Sequence, residues 1–169
     1  MATPEAAARP PSAPRHKAVL CLGSNINPLL NMQRAVALLR NRVYVSALSI
    51  CYEAEAIGTH GPNFLNMAAV IETDTDASEI KTHLIGEIEE ALGRVRTADK
   101  YAPRTIDIDI IVFDGQVIDK TLWKRAYIAQ TVGELLPKLT HPETGELISQ
   151  VAARLSEGQS IVPRSDLHF

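Results

Sequence analysis

Two aspartates, Asp107 and Asp109, lie two residues apart in the most β-prone stretch of the chain, Thr105 to Phe113. Residues two apart on a strand share a face, so both carboxylates point one way and the intervening isoleucines point into the core. Carboxylates about 6–7 Å apart repel one another, and magnesium characteristically binds one or two carboxylates together with phosphate oxygens. The pair predicts a magnesium site; a solvated strand face is the alternative that a lone D-x-D motif leaves open.

A basic segment precedes this strand. Between positions 94 and 104 the chain has four cations and one acid, a local charge of +3 in a chain whose net charge is −3. Arginines beside a carboxylate-held cation suit a polyphosphate, because guanidinium groups match phosphate oxygens in shape and charge. The alternative is a solvated helix end whose cations complement the helix dipole. Arg94 fits that alternative, whereas Lys100 and Arg104 lie beyond the first turn's reach.

An aromatic ring and an amide, Phe64 and Asn66, share a face of another predicted strand and could stack on and hydrogen-bond one flat heterocycle. A core phenylalanine and a satisfied asparagine are the commoner interpretation. The turn Gly23-Ser24-Asn25 lacks the spacing of a Walker A phosphate loop. Neither a G-x-S-x-G elbow nor a G-x-G-x-x-G fingerprint is present in the sequence.

Composition restricts the classes of function. The 169 residues are 46% hydrophobic, which suits one domain, and the charge of −3 argues against a general attraction to nucleic acid or anionic membrane. Five scattered histidines lack metal-binding spacing, which argues against a zinc enzyme. Cys21 and Cys51 sit in apolar stretches and are expected to be buried thiols in a reducing compartment, which predicts a cytoplasmic protein. We expect no membrane partner, and a monomer or a weak homo-oligomer.

Three regions are expected along the chain. Residues 1–17, rich in Ala and Pro, predict a disordered tail, with an organelle-targeting leader as the alternative. Residues 18–155 predict a single domain, and residues 156–169 an irregular C-terminal segment.

The order of elements within the domain is β-α-β-β-α-β followed by further helices. A strand at Ala18–Leu22 precedes a helix with Asn27 as N-cap and Pro28 at its first position. The β-prone stretch Val43–Ala54 and a strand from Phe64 flank the loop at Gly58–Pro62. A capping box marks the start of the second helix. The strand that contains Asp107 and Asp109 follows it, and two C-terminal helices end the domain. This is the α+β, ferredoxin-like pattern, an antiparallel sheet with helices on one face and extra C-terminal helices.

Four strings in this order resemble one known family. They are Leu22-Gly23-Ser24-Asn25, Phe64-Leu65-Asn66-Met67-Ala68, Gly93-Arg94-Val95-Arg96 with Glu89 upstream, and Pro103-Arg104-Thr105-Ile106-Asp107-Ile108-Asp109. The family is 6-hydroxymethyl-7,8-dihydropterin pyrophosphokinase, HPPK. The resemblance covers about Ala18 to Phe113 and, more loosely, the chain to Pro137. It implies the ferredoxin-like fold and the transfer of pyrophosphate from ATP to a hydroxymethyl pterin in folate biosynthesis, releasing AMP.

The resemblance also implies residue roles at the nucleotide. Asp107 and Asp109 would bind two Mg²⁺ ions that bridge the α- and β-phosphates of ATP. Arg94 and Arg104 would stabilise charge on the transferred group. Arg96 and Tyr101 would lie in a loop that closes over the nucleotide. The resemblance also places Glu89, Ile110 and Arg125 at the ATP site.

At the pterin, the resemblance implies that Phe64 stacks on the ring and Asn66 hydrogen-bonds its edge. Backbone groups near Ala54 and Ile57 would complete that pocket. Tyr127 falls on the family's second stacking aromatic.

Two departures from the family pattern leave alternatives open. A Pro-His segment of roughly eight residues after the last core strand is absent by our alignment, and Lys120 or Lys124 would supply the missing phosphate contacts as point charges. Ala54-Glu55 also stands where the family usually has Thr-Pro. The alternatives are a pterin-binding module that has lost turnover, and a pyrophosphokinase acting on a related heterocyclic alcohol.

Overall fold

The structure is a computed structural model that describes residues 16–58 and 60–169. Positions 1–15 of the expected tail, and residue 59 of the predicted loop, lie outside the described residues. The strands are β1 (His16–Ser24), β2 (Tyr44–Leu48), β3 (Tyr52–Ala54), β4 (Phe64–Thr73), β5 (Asp107–Phe113), β6 (Gln116–Val117) and β7 (Ile161–Pro163). The helices are α1 (Pro28–Arg42), α2 (Ala77–Glu79), a π-helical segment (Ile80–Ile85), α3 (Gly86–Ala91), a 3₁₀ turn (Lys120–Trp123), α4 (Ala126–Leu135) and α5 (Ile148–Ser156).

The strands form one sheet in the order β6-β5-β1-β4-β3-β7, and β2 also pairs with β4. All pairings are antiparallel. The predicted α+β, ferredoxin-like class is confirmed, with three strands instead of the predicted two between α1 and the second helical region. The stretch predicted as one β-prone run forms two strands, because Ser49 interrupts it and its hydroxyl accepts a hydrogen bond from the Ala68 amide at 2.8 Å.

Helices cover both faces of the sheet. Leu20 and Leu22 of β1 face the core beneath α1 and the helical region 77–91, whereas Val19 and Cys21 face a second core beneath α4 and α5. The extra C-terminal helices therefore lie on the face opposite the ferredoxin-like pair. Burial of the thiols of Cys21 and Cys51 is confirmed, and both are free. Of the helices in the described ranges, none combines the length and the apolar character that a bilayer crossing needs.

The helix starts were partly predictable. The capping box is confirmed, since the Asp76 side chain accepts from the Glu79 amide at 2.9 Å and Glu79 accepts from the Asp76 amide at 3.3 Å. The predicted N-cap position of Asn27 is confirmed, with Pro28 at the first position of the helix. The Asn27 side chain nevertheless makes no capping hydrogen bond, and its backbone is left-handed with φ of 42°, a conformation that asparagine tolerates better than most residues.

The C-terminal segment is more ordered than the sequence predicts. In place of an irregular end at residues 156–169, β7 pairs with β3, and Leu167 and Phe169 pack against the core. A three-residue strand ending in Pro163 is too short to show a period, and proline argues against a strand except at an edge. β7 is that edge strand, and it covers the otherwise open edge of β3.

Candidate active site

A cavity of about 220 Å³ lies at one end of the sheet. The antiparallel register brings the end of β1 beside the starts of β4 and β5, so that Gly23 pairs with both Asn66 and Asp107. The end of β3, the start of α4 and the loops at 55–63 and 94–106 complete its walls. The cavity therefore lies where polar residues from five parts of the chain converge.

The two aspartates of β5 line this cavity together. Ile106, Ile108 and Ile110 point to the opposite side, into the core beneath α1 and the 77–91 helical region. The shared face predicted from the D-x-D spacing is confirmed. Within the described residues no group of three or more His, Cys, Asp or Glu could hold a metal ion, so the site offers a carboxylate pair and not a closed protein cage.

Asp107 is neutralised by two arginines. Arg94 contacts one of its carboxylate oxygens at 2.9 Å, and Arg104 contacts the other at 2.5 Å. The Arg94 side chain is only 9% exposed and also donates to the Ile106 carbonyl at 2.7 Å. These bonds hold two guanidinium groups beside the aspartate pair, which is the arrangement that polyphosphate binding needs.

Asp109 is left without a partner among the described residues. It lies on the cavity floor, open to solvent through the cavity yet surrounded by protein. This loss of hydration, together with the negative charges of Asp107, Asp119 and Glu89, raises the pKa of Asp109 to about 6. A bound cation would offset the cost of ionising Asp109 in the folded state. The Asp109 carboxylate is therefore better suited to binding a metal than to a purely structural role.

Glu89 supports the aspartate strand from behind. Its carboxylate is buried, accepts from the Ile108 amide at 3.1 Å, and pairs with Arg96 at 2.9 Å and with Arg94 at 3.7 Å. It thus joins the end of α3 to the start of β5 and holds two arginines near the cavity.

An aromatic ring and an amide form the other end of the cavity. Phe64 and Asn66 both line it, beside Ala54 and Ile57. Asn66 is 3% exposed, and its side-chain Nδ2 has no hydrogen-bond partner within the described residues. A buried amide without a partner is costly, so this group is suited to a ligand that supplies an acceptor.

A glycine keeps that amide in place. A Cβ added at Gly23 would lie 3.0 Å from the Asn66 Oδ1, closer than most real Cβ contacts. The glycine of the Leu22–Asn25 string thus lets the Asn66 side chain occupy the cavity wall.

The loop at 94–106 forms the wall of the cavity that carries basic residues. Lys100, Tyr101 and Arg104 line it, and Lys100 stacks over the Tyr101 ring at 4.9 Å. The ring also packs on Gly58 so closely that a Cβ there would lie 2.7 Å from it. The two loops therefore touch across the cavity mouth.

Helix α4 brings Arg125 and Tyr127 to the cavity. Burial raises the pKa of Tyr127 to about 12, so its hydroxyl is neutral at physiological pH. Further along the helix, Glu134 accepts hydrogen bonds from the Ile50 amide at 2.8 Å and from the Tyr52 hydroxyl, which fixes α4 to the strand that leads to Ala54.

Three residues implied at ATP are not brought to the cavity wall. Ile110 lies in the core on the opposite face, because odd and even positions of β5 face different ways. Glu89 and Arg96 lie behind the aspartates and pair with each other. Neither Lys120 nor Lys124 is among the residues that line the cavity, so the structure does not bring them to the place expected for the missing histidine.

Sequence reasoning missed several residues of the site. Cys21, Glu55 and Ile128 line the cavity without any sequence signal that separates them from ordinary core or loop residues. The family resemblance includes Asn25 in a matching string but implies no role for it. Asn25 is 3% exposed, its Nδ2 donates to the Pro62 carbonyl at 3.3 Å, and its Oδ1 accepts from the Arg104 amide at 2.8 Å. It therefore ties both loops of the cavity to the end of β1.

The α+β fold and a cavity lined by a carboxylate pair, arginines and aromatic rings fit one class of protein, a phosphotransferase that acts on a small molecule. Comparison with known proteins names the family. Residues 19–137 match the family described as 7,8-dihydro-6-hydroxymethylpterin-pyrophosphokinase (HPPK). The chain belongs to this family.

Relatives and solved structures agree with that assignment. The chain is 30% identical over 155 residues to the 2-amino-4-hydroxy-6-hydroxymethyldihydropteridine pyrophosphokinase of Bacillus subtilis, covering 85% of this chain and 92% of that one. It is 37% identical over 108 residues to the Helicobacter pylori protein of the same name, covering 61% and 66%. A Plasmodium falciparum HPPK-DHPS triple mutant solved with pteroate has the same fold, with a TM-score of 0.64 and 14% identity over 84% of this chain. This chain spans 44% of that longer protein.

Proposed function

We propose that the protein transfers the pyrophosphoryl group of ATP to the hydroxymethyl oxygen of 6-hydroxymethyl-7,8-dihydropterin. The observation that carries this proposal is the cavity itself, which is lined by Asp107, Asp109 and the buried Asn66 side chain, whose Nδ2 has no hydrogen-bond partner within the described residues. In the reaction the hydroxymethyl oxygen bonds to the β-phosphorus, the bond from that phosphorus to the α,β-bridging oxygen breaks, and AMP leaves. The hydroxyl proton passes to solvent.

The polyphosphate end would work by electrostatics and positioning, as phosphoryl transfers generally do. Asp107 and Asp109 are the residues that would hold magnesium, and we assign two ions to them. Magnesium, when bound, would neutralise charge on the phosphate oxygens. Arg94 and Arg104 would stabilise the charge of the transferred group, and Glu89 keeps Arg94 in place.

We assign the remaining nucleotide contacts to Tyr101 and Arg125, which line the cavity, and to Arg96, which Glu89 holds nearby. Tyr101 lies in the loop that covers the site, so its ring would limit the entry of water. Backbone and side-chain groups of β5 would support these contacts from the side of the strand that faces away from the cavity.

The heterocycle end would select a flat ring with polar edges. Phe64 and Tyr127, two of the aromatic residues that line the cavity, would stack on the ring, and Asn66 supplies an amide that can donate and accept hydrogen bonds. The backbone near Ala54 and Ile57 would complete the recess. This set would place the hydroxymethyl group toward the aspartates.

Release of AMP tests the proposal. Protein, ATP, MgCl₂ and 6-hydroxymethyl-7,8-dihydropterin are incubated together, and AMP is measured by chromatography. Asp107→Asn and Asp109→Asn are expected to abolish AMP release. Asp114→Asn, the same change just beyond the other end of β5, where Asp114 pairs with His16 at 2.7 Å, is the matched control and should retain it. Full activity in either of the first two variants would overturn the metal assignment.

A second candidate rests on the short connection after β6. The 3₁₀ turn at Lys120–Trp123 leads almost directly into α4, and its lysines do not line the cavity. A protein that binds the pterin without turnover would show saturable pterin binding and no AMP with any divalent metal. The alternative acceptor, a related heterocyclic alcohol, rests on Glu55, which lines the cavity where the family usually has a proline. Comparing the turnover of several pterins tests that alternative.

We also propose that the chain acts as one domain, in the cytoplasm, as a monomer or weak homo-oligomer with small molecules as its only partners. The two buried thiols support a reducing compartment, since neither is part of a disulfide. Burial raises the pKa of Cys21 to about 12, so this thiol at the cavity is a packing group and not a nucleophile.

A further inference from the structure

The C-terminal segment, residues 161–169, has no residue among those that line the cavity. Its strand β7 pairs with β3, with Ala54 opposite Ile161 and Tyr52 opposite Pro163. Just beyond the strand, the Arg164 amide donates to the Cys51 carbonyl at 2.8 Å. The segment thus lies along the whole of the short strand that leads into the heterocycle end of the cavity.

One carboxylate connects this segment to the cavity loop. Arg164 donates to Glu53 Oε2 at 2.7 Å, and its other nitrogens bind both oxygens of Asp166 at 2.9 and 2.8 Å. The second oxygen of Glu53 accepts from the Asn63 side chain at 3.1 Å. Hydrogen bonds from Asn63 and Arg164 hold the pKa of Glu53 below its ordinary value, as expected for a carboxylate bound on both sides.

Glu53 and Asn63 stand at the two ends of one loop. Between Ala54 and Phe64, both of which line the cavity, the loop contributes Glu55 and Ile57 to its wall. Its first half, residues 54–58, contains no proline to restrict its backbone, and Gly58 adopts a positive φ of 75°. A loop of this composition depends on contacts at its base for a defined shape.

We propose that Glu53 and Arg164 are positioning residues for the heterocycle: the C-terminal segment closes the base of the 55–63 loop through Glu53 and thereby sets the affinity for the pterin. This inference rests on the proposed function. Within the described residues, Glu53 and Arg164 bond to Asn63 and Asp166 and not to the aspartates and arginines of the phosphate end, so we expect their loss to affect the pterin more than the nucleotide.

Steady-state kinetics of Arg164→Ala test this. We expect the KM for the pterin to rise about fivefold, while kcat and the KM for ATP change less than about twofold. Arg164→Lys keeps the charge and is expected to recover part of the loss. Arg154→Ala is the matched control, because it removes a similar two-contact pair with Glu146, at 3.2 and 3.1 Å, on the far surface of α5. It should change none of the three constants.

A double-mutant cycle with Glu53→Ala checks that both residues act through one contact. The double variant should raise the pterin KM no further than the more severe single variant. An unchanged pterin KM in folded Arg164→Ala, equal changes in both KM values, or additive effects in the cycle would overturn the inference.

Amide hydrogen exchange separates this inference from the reaction itself. Exchange at residues 55–58 should be faster in Arg164→Ala than in the unmodified chain or Arg154→Ala, whether or not AMP is formed. A wild-type protein that releases no AMP would refute the proposed function. Amide hydrogen exchange at residues 55–58 would still show whether Arg164 positions this loop. Unchanged exchange at these residues would refute the positioning role alone.

Discussion

Asp109→Asn is expected to make the protein more stable while abolishing its activity. The carboxylate lies on the cavity floor without a partner among the described residues, and its pKa is raised from 3.8 to about 6. A pKa raised on folding means that the ionised form is disfavoured in the folded state. An asparagine at this position removes the charge and so removes that cost.

The magnitude follows from the shift. About two pKa units correspond to about 3 kcal/mol without screening by water. Because Asp109 is exposed through the cavity mouth, screening reduces the gain to about 1 kcal/mol. The folded state binds the Asp109 proton more tightly than the unfolded chain does. The cost is therefore fully present above about pH 6 and disappears as the pH falls through 3.8, the unfolded value.

Urea denaturation of the metal-free protein at two pH values measures this. At pH 7.5 the variant should unfold at higher urea than the wild type, and at about pH 4.5 the gain should shrink by more than half. Asp114→Asn is a control of opposite sign, since hydrogen bonds from His16 and from the Lys17 amide lower the pKa of Asp114. Its carboxylate stabilises the fold above that pKa. An Asp109→Asn protein no more stable than wild type at pH 7.5 would refute the reasoning.

Three further substitutions have distinct expected outcomes. Asp107→Asn should lower the free energy of unfolding by about 2 kcal/mol, because it leaves the buried guanidinium of Arg94 short of a partner; urea denaturation checks this. Gly23→Ala should raise the KM for the pterin about tenfold by displacing the Asn66 amide, with an unchanged KM for ATP. Asn25→Ala should lower stability by about 2 kcal/mol and raise both KM values, because this buried side chain ties both cavity loops to β1; denaturation and steady-state kinetics measure the two effects.

The element order was predictable because each element carries a local signal. The capping box at Asp76 and Glu79 and the alternation around Asp107 and Asp109 follow from spacing alone. The same alternation predicted that the two carboxylates share a face. Their position in a common cavity with Phe64 and Asn66 was implied by family resemblance, because spacing along one strand says nothing about what lies across the sheet.

Features that depend on distant partners were not predictable. β7 is short, and it forms because β3 has an open edge for it to pair with. Ile110 faces away from the cavity, although it stands beside Asp109 in sequence. The Glu53–Arg164 contact joins residues 111 positions apart, and neither has a neighbour in sequence that signals the other.

The two aspartates of the candidate site share a face, yet the protein treats their charges differently. Asp107 is bound by Arg94 and Arg104, so its charge is compensated and the buried arginine depends on it. Asp109 has no such partner in the part of the chain that the structure describes, and the charge of Asp107 is among the causes that raise its pKa. Neutralising one acid should therefore weaken the fold, while neutralising the other strengthens it. A solvated strand face that merely added solubility would show neither effect, because Asp109 would keep its ordinary pKa and Asp107 would hold no buried arginine. The opposite changes in the free energy of unfolding follow from a site in which the Asp109 carboxylate is available to bind a cation.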